Sequence, residues 1–339
     1  MVSQEDQLSE ATYRPEWLEE GVAESTLDSV WECQEELQRI GRMLSQAKRF
    51  YLVGSGGSYA VQHPIRYLAE RFTLTPVYQY SGWEFLERMP QGVARDSACI
   101  FLSHSGETKE VVSALDWARE KKATTLGLSR SENSTVCRDS EYRFGYAGKA
   151  VTLGKLSSLY LIFGGIFDAK GFKIGEKMVQ AVEKLTNLLP RMIQPSRERA
   201  KAAGQLFKDA ENIFVVGGGI NYGLAYQFAL CTLMEMCWIN STPINFSEFR
   251  HGPIEMFTPN SNAIFLKGRG DEEDLEDAVI GFSKGNGARC FICDSLGWEV
   301  ENIWTPFTLF MELEWIGYYL SLEKNKNMEK WRYYDKVDF

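Results

Sequence analysis

Apolar residues in this chain gather in short runs, each followed by small or polar residues and then by a stretch with helical spacing. Phe50-Tyr51-Leu52-Val53 is the first clear run; Gly54-Ser55-Gly56-Gly57-Ser58 follows it, and a helix is predicted from Tyr59 to Phe72, with Pro64 in its early part. Ala98-Cys99-Ile100-Phe101-Leu102 repeats the pattern. It runs into Ser103-His104-Ser105-Gly106-Glu107-Thr108 and then into Val111, Val112, Ala114, Leu115 and Ala118, which share one helix face. Further strands are predicted at Val77–Tyr80, Thr124–Leu128 and Glu141–Tyr146, a helix start at Asn133-Ser134, and an apolar helix from about Lys155. Before all of these, residues 1–45 read as amphipathic helix. Leu27, Val30, Leu37 and Ile40 belong to its buried set, and glutamates such as Glu19, Glu32 and Glu36 form a solvated face.

The second half begins the pattern again. Asn212–Val216 is a predicted strand, Gly217-Gly218-Gly219 a turn, and Asn221–Trp238 a helix; strands at Ala263–Lys267 and Ala288–Asp294 flank the acidic helix Asp271–Lys284, and Trp304–Leu322 is an apolar helix. Between the halves, Glu176–Lys208 is charged and helix-favouring, with interruptions expected at Pro190 and Pro195. Strands alternating with helices predict an α/β protein of two doubly wound, mostly parallel, flavodoxin-like sheets. The expected division is a helical segment at 1–45, a first sheet domain at 46–175, a helical connection at 176–208 and a second sheet domain with a C-terminal tail at 209–339. The aromatic residues of that tail, Trp331, Tyr333, Tyr334 and Phe339, predict that it packs against something.

Composition narrows the function. A net charge of −9 argues against a nucleic-acid surface and leaves no basic segment for an anionic membrane. Met1–Ser25 is polar and acidic, so no secretory leader is expected, and Leu156–Phe167, broken by Gly164 and Gly165, is too short to span a bilayer. Seven scattered cysteines suggest free thiols in a reducing cytoplasm. Cys290 and Cys293 have metal-type spacing but fall in a predicted buried strand, and with only three histidines in the chain no metal site is expected. No cofactor is expected either. Tyr59 stands where a dinucleotide loop wants its third glycine, Ser81-Gly82-Trp83 stands where it wants an acid, and no GxxxxGK[ST] occurs.

The segment 103–108 is a strand-to-helix turn, where unpaired backbone N–H groups and the helix dipole favour an anion. Its three hydroxyls, with a glycine allowing close backbone approach, suit a phosphate monoester. The alternative is that Ser105 or Thr108 only caps the helix. Glu235, in Leu233-Met234-Glu235-Met236-Cys237-Trp238, is a carboxylate in an apolar helix. Desolvation would raise its pKa and fit it to move a proton at carbon, unless it merely pairs in the core. His251 precedes Gly252-Pro253, a rigid turn, and is either an acid–base group or a packing residue.

Taken together, Gly54–Ser58 with its strand, Leu102–Thr108, Glu248-Phe249-Arg250-His251-Gly252-Pro253, Ser81–Phe85, Met234-Glu235 and the ending Arg332-Tyr333-Tyr334 resemble the sugar isomerase (SIS) domain family over about residues 30–339. The arrangement is similar to the isomerase half of glucosamine-fructose-6-phosphate aminotransferase. It is closer still to the deglycases of 6-phosphorylated Amadori compounds, of the fructoselysine- and glucoselysine-6-phosphate type. The resemblance implies two SIS domains in a cytoplasmic homodimer with shared active sites. It implies that Ser58, Ser103, Ser105 and Thr108 hold the sugar phosphate, that Glu235 is the general base, and that His251 of the partner subunit assists ring opening. Ser55, Gly56, His104, Glu248 and Lys336 are further possible substrate contacts; Lys336 matches a C-terminal lysine that the aminotransferase uses on its sugar. Val151-Thr152-Leu153-Gly154-Lys155 departs from the family, which usually has a serine near Leu153.

The expected activity is cleavage of a phosphorylated sugar–amino acid conjugate. An aldose–ketose isomerase or aminotransferase-type isomerase on the same site, and a non-catalytic sugar-phosphate sensor, are the alternatives. Glutamine-dependent aminotransfer is not expected, since Val2 follows Met1 where a nucleophilic cysteine would stand.

Overall fold

The computed structural model describes residues 7–268, 270–298, 300–334 and 336–337. Their strands form two separate sheets in which every pairing is parallel. The first contains β1 (Arg49–Gly54), β2 (Val77–Tyr80), β3 (Ser97–Leu102), β4 (Thr124–Ser129) and β5 (Tyr142–Gly145), in the order β2-β1-β3-β4-β5. The second contains β6 (Asn212–Gly217), β7 (Asn240–Asn245), β8 (Asn262–Lys267) and β9 (Arg289–Asp294), in the order β7-β6-β8-β9. All-parallel strands must be covered on both faces, and the solidly apolar runs of β1 and β3 meet that need: Phe50, Leu52, Val53, Cys99, Ile100, Phe101 and Leu102 are fully buried. The predicted α/β, flavodoxin-like class is therefore observed, with the order reversing between β1 and β3. Gly54 pairs with Leu102, so the loops leaving these two strands start side by side.

The chain divides into two compact units, 20–190 and 191 onward joined by 7–19. Residues 20–45, set apart in the sequence reading, fall in the first unit. Their second helix, Gln34–Leu44, packs closely on the helix Val151–Ala169, where a Cβ on Gly41 would come within 2.1 Å of the Ile162 carbonyl and one on Gly165 within 2.4 Å of that of Gln38. Val151–Ala169 begins earlier than expected and is long and apolar enough to cross a membrane, but 89% of it is buried inside the protein, as for a core helix.

In the second unit, residues 7–19 lie on the C-terminal helix Thr305–Glu323 and the segment after it. Tyr318 Oη donates to the Tyr13 carbonyl at 2.6 Å, and Tyr13 Oη accepts from Met328 N at 2.8 Å. Glu10 accepts from Lys201 Nζ at 2.9 Å, from Tyr319 Oη at 3.1 Å and from Arg197. Burial pushes its carboxyl up, but these hydrogen bonds outweigh burial and hold it at about 2.

One strand is not anticipated by the sequence pattern, and two local expectations are corrected. Asn240–Asn245 is a strand although it is polar and contains Pro243; it is the edge strand β7, where a missing N–H is tolerated. The helix Ile174–Leu206 runs unbroken through Pro190 and Pro195. Each interior proline costs about 3 kcal/mol, but a buried stripe of Leu185, Leu189, Met192, Ser196, Ala200 and Ala203 continues past both and offsets it. Finally, the helices expected at 59–72 and 221–238 are each composite. The first is Gly57–Ala60 followed by His63–Phe72. The second is a short 3₁₀ turn, the α-helix Tyr222–Gln227 and a π-helical stretch, Phe228–Met234.

Candidate active site

Within the first unit, the loop after β3 gathers hydroxyls. Ser103 Oγ lies 2.8 Å from Thr108 Oγ1 and 3.5 Å from Ser105 Oγ, and it accepts from Gly106 N at 3.0 Å. Gly106 makes this possible. Its φ is +73°, and a Cβ there would come within 2.2 Å of Ser134. Thr108 occupies the N-cap of the helix Lys109–Glu120, yet its side chain caps nothing. Ser105 Oγ accepts from Glu107 N at 3.1 Å, a local turn bond and not a helix cap. The N–H groups of Ser105, Thr108 and Glu110 donate to nothing among the described residues, which leaves donors at the helix start for an anion.

The loop after β1 lies alongside. Ser58 is buried, and its Oγ accepts from Lys155 Nζ at 2.8 Å. Ser55 Oγ donates instead to Glu110 Oε1 at 2.6 Å, which ties this loop to the first turn of the helix Lys109–Glu120 and commits that hydroxyl to the protein. Gly56 has a φ of +54° and turns the chain there. His104 is an exposed residue, but its ring is partly buried on the Nδ1 side, 3.0 Å from Tyr146 Oη. Burial, then the charges of Lys155 and Arg130, push its pKa down to about 4, so the ring is neutral at neutral pH. Lys155, which reaches Ser58, was not among the candidate site residues. It is a buried cation in an otherwise apolar helix, the same kind of anomaly that singled out Glu235.

The matching turn of the second unit, Gly217-Gly218-Gly219, has no hydroxyls and meets carboxylates. A Cβ on Gly218 would lie 2.5 Å from Glu272 Oε2, an oxygen with no hydrogen-bond partner, and the adjacent Glu276 is pushed up to about 7, chiefly by burial. Negative groups against this turn disfavour a phosphate.

Glu235 follows the π-helical stretch directly, and its N–H bonds five residues back to Leu230 at 3.1 Å. The carboxyl is half-buried, and burial pushes its pKa up to about 6, with the Trp331 indole N–H opposing the rise. That N–H is itself buried and makes no well-formed hydrogen bond. The helix then stops at Trp238, whose φ is +58°. Over the Trp238 ring lie the Arg332 guanidinium, 3.7 Å from its centroid, and Lys326 Nζ at 4.1 Å. The tail thus packs at the segment that carries Glu235, as its aromatic content predicted, although Tyr333 and Tyr334 are largely exposed. Lys336 Nζ donates within the tail to the Trp331 carbonyl at 2.9 Å.

His251 sits on an exposed turn whose shape is set by Gly252, at a φ of +120°. Phe249 anchors this turn in a cluster of rings, 4.8 Å from Phe257 and 6.0 Å from Phe282. The His251 ring itself makes no hydrogen bond or ion pair among the described residues, and Glu248 is exposed beside it.

Each unit thus carries its own part of the predicted set: the phosphate-type loops in one, Glu235 and the His251 turn in the other. The SIS domain pattern matches residues 43–160 and 206–301, once over each sheet. The chain belongs to the SIS domain family. Among curated SIS proteins it is 29% identical to the fructoselysine 6-phosphate deglycase of Escherichia coli strain K12, over 84% of this chain and 85% of that one. It is 27% identical to the fructosamine deglycase of Bacillus subtilis strain 168, over 85% and 92%. A solved Bacillus subtilis structure described as a candidate phosphosugar isomerase superposes with a TM-score of 0.81 at 26% identity, covering 94% of this chain and 99% of that one.

Proposed function

We propose that this protein is a phosphosugar isomerase-like enzyme and, more finely, a deglycase. It would cleave a 6-phosphorylated sugar–amino acid conjugate of the fructoselysine 6-phosphate type into sugar 6-phosphate and free amino acid. The observation that carries this reading is Glu235, a carboxyl whose pKa is pushed up to about 6 by burial and which is thereby suited to exchange a proton with carbon. The relatives named as deglycases, at 27–29% identity over most of the chain, support a phosphosugar deglycase or isomerase.

In the reaction, hydroxyls of Ser58, Ser103, Ser105 and Thr108 and the N–H groups at the helix start hold the phosphate oxygens. His251 of the partner subunit, in a homodimer, helps to open the sugar ring; a ring exposed and unengaged in its own chain is what such a role requires. Glu235 then removes a proton from C1, which bears the nitrogen, and the C2 carbonyl oxygen takes up a proton, giving an enaminol. Glu235 returns its proton to C2 while the C1–N bond becomes an imine. Water adds to that imine, the C–N bond breaks, and sugar 6-phosphate and the amine leave.

Purified protein should release amino acid from one of the lysine, aspartate or asparagine conjugates of sugar 6-phosphate. Interconversion of fructose 6-phosphate with its aldose and no amine from any conjugate would favour the isomerase. Tight binding without turnover would favour a sensor.

A further inference from the structure

The donors of the phosphate-type loops are neutral: the hydroxyls of Ser58, Ser103, Ser105 and Thr108, and backbone N–H groups. A phosphate monoester carries a charge of about −1.5 to −2 at pH 7, and a neutral cradle repays its loss of water poorly without a cation nearby. Two cations stand close enough to His104 to push its pKa down, Lys155 and Arg130. Arg130 is exposed, so solvent screens it. Lys155 is 5% exposed and projects from Val151–Ala169 to the loop that follows β1.

The bond to Ser58 has a direction. A lysine ammonium only donates, so Ser58 Oγ must be the acceptor in the 2.8 Å contact, and its own proton is left to donate to something else. We propose that Lys155 supplies the positive charge of the phosphate site and fixes Ser58 as a hydrogen-bond donor toward the phosphate. This rests on the phosphate reading of the loops given above and adds to it a positioning residue and a charge preference. The site selects a dianion over a monoanion of the same shape.

The test compares the affinities of fructose 6-phosphate and fructose 6-sulfate by calorimetry, the sulfate ester being a monoanion of similar geometry. Lys155→Met should weaken the phosphate by roughly 10–100-fold, the range for a hydrogen bond to a charged group, and the sulfate by much less. The wild-type preference for phosphate thus collapses. Lys155→Arg should keep that preference. Equal weakening of both esters would assign Lys155 a packing role only, and no weakening would dismiss it; either result overturns the inference. Ser103→Ala separates it from the underlying reading. If that variant binds fructose 6-phosphate as wild type does, the phosphate loops themselves are misassigned, whereas weakening by Ser103→Ala without weakening by Lys155→Met sinks the role of Lys155 alone. Should Lys155→Met not fold, Lys155→Gln takes its place in the same two titrations: loss of the preference for phosphate over sulfate supports the proposal, and an unchanged preference overturns it.

Discussion

The Arg332 guanidinium lies 3.7 Å from the centre of the Trp238 ring. Trp238 ends the segment that carries Glu235, and Arg332 adjoins Trp331, whose indole N–H restrains the Glu235 pKa. The stacking therefore fixes the tail where it can act on the acid. Removing the indole N–H removes the one group that opposes the effect of burial, so Trp331→Phe should raise the Glu235 pKa above about 6. The rate falls as the base is protonated, so the acid limb of kcat in the wild type should centre near 6 and move to higher pH in the variant. A pH–rate profile with an unmoved limb would break the link between tail and acid.

Glu235→Gln keeps the shape and removes the proposed base. Released amino acid should fall by roughly 10²–10⁴-fold, the usual contribution of positioned proton transfer, with fructose 6-phosphate affinity retained. Turnover at the parental rate would show that another group moves the proton.

Gly106→Ala meets two obstacles, a φ of +73° and a Cβ contact at 2.2 Å with Ser134. We expect a destabilisation of about 1–3 kcal/mol together with a loss of phosphosugar affinity, since the same backbone holds Ser103 to Thr108. Chemical denaturation and calorimetry report the two effects; a fully stable variant would contradict the crowding.

Glu10 governs an acid transition. Its carboxyl sits at about 2 in the folded protein, against 4.5 ordinarily, so its contribution is complete above about pH 4.5 and is lost as pH falls toward 2. Glu10→Gln should lower stability at pH 7 by roughly 1–2 kcal/mol, discounted for its partial exposure, and by much less near pH 2. Denaturation midpoints of both proteins across that range provide the check, and a pH-independent difference would exclude the charge network as the cause.

Much of the fold is legible in local chemistry. Parallel strands need continuous apolar runs, which made β1, β3 and β8 visible, and loops that admit anions need glycine and hydroxyls, which marked 54–58 and 103–108. Asn240–Asn245 escaped because an edge strand needs no apolar run. Pro190 and Pro195 misled because a long buried stripe overrides two lost hydrogen bonds. At the site, Glu235 stood out as a charge among apolar neighbours, and Lys155 offered the same signal one turn into its helix. Trp331 offered none, because its proximity to Glu235 is tertiary.

The membership of residues 7–19 in the later unit bears on how the protein is made. As the chain leaves the ribosome, 20–190 holds everything its own sheet requires and can fold at once. The leading residues must wait for the last helix, since Tyr318 and Tyr319, which bond Tyr13 and Glu10, are synthesised only near the end. A clone beginning at 191 would therefore produce a half-protein missing its own first piece, and supplying that peptide in trans should restore it.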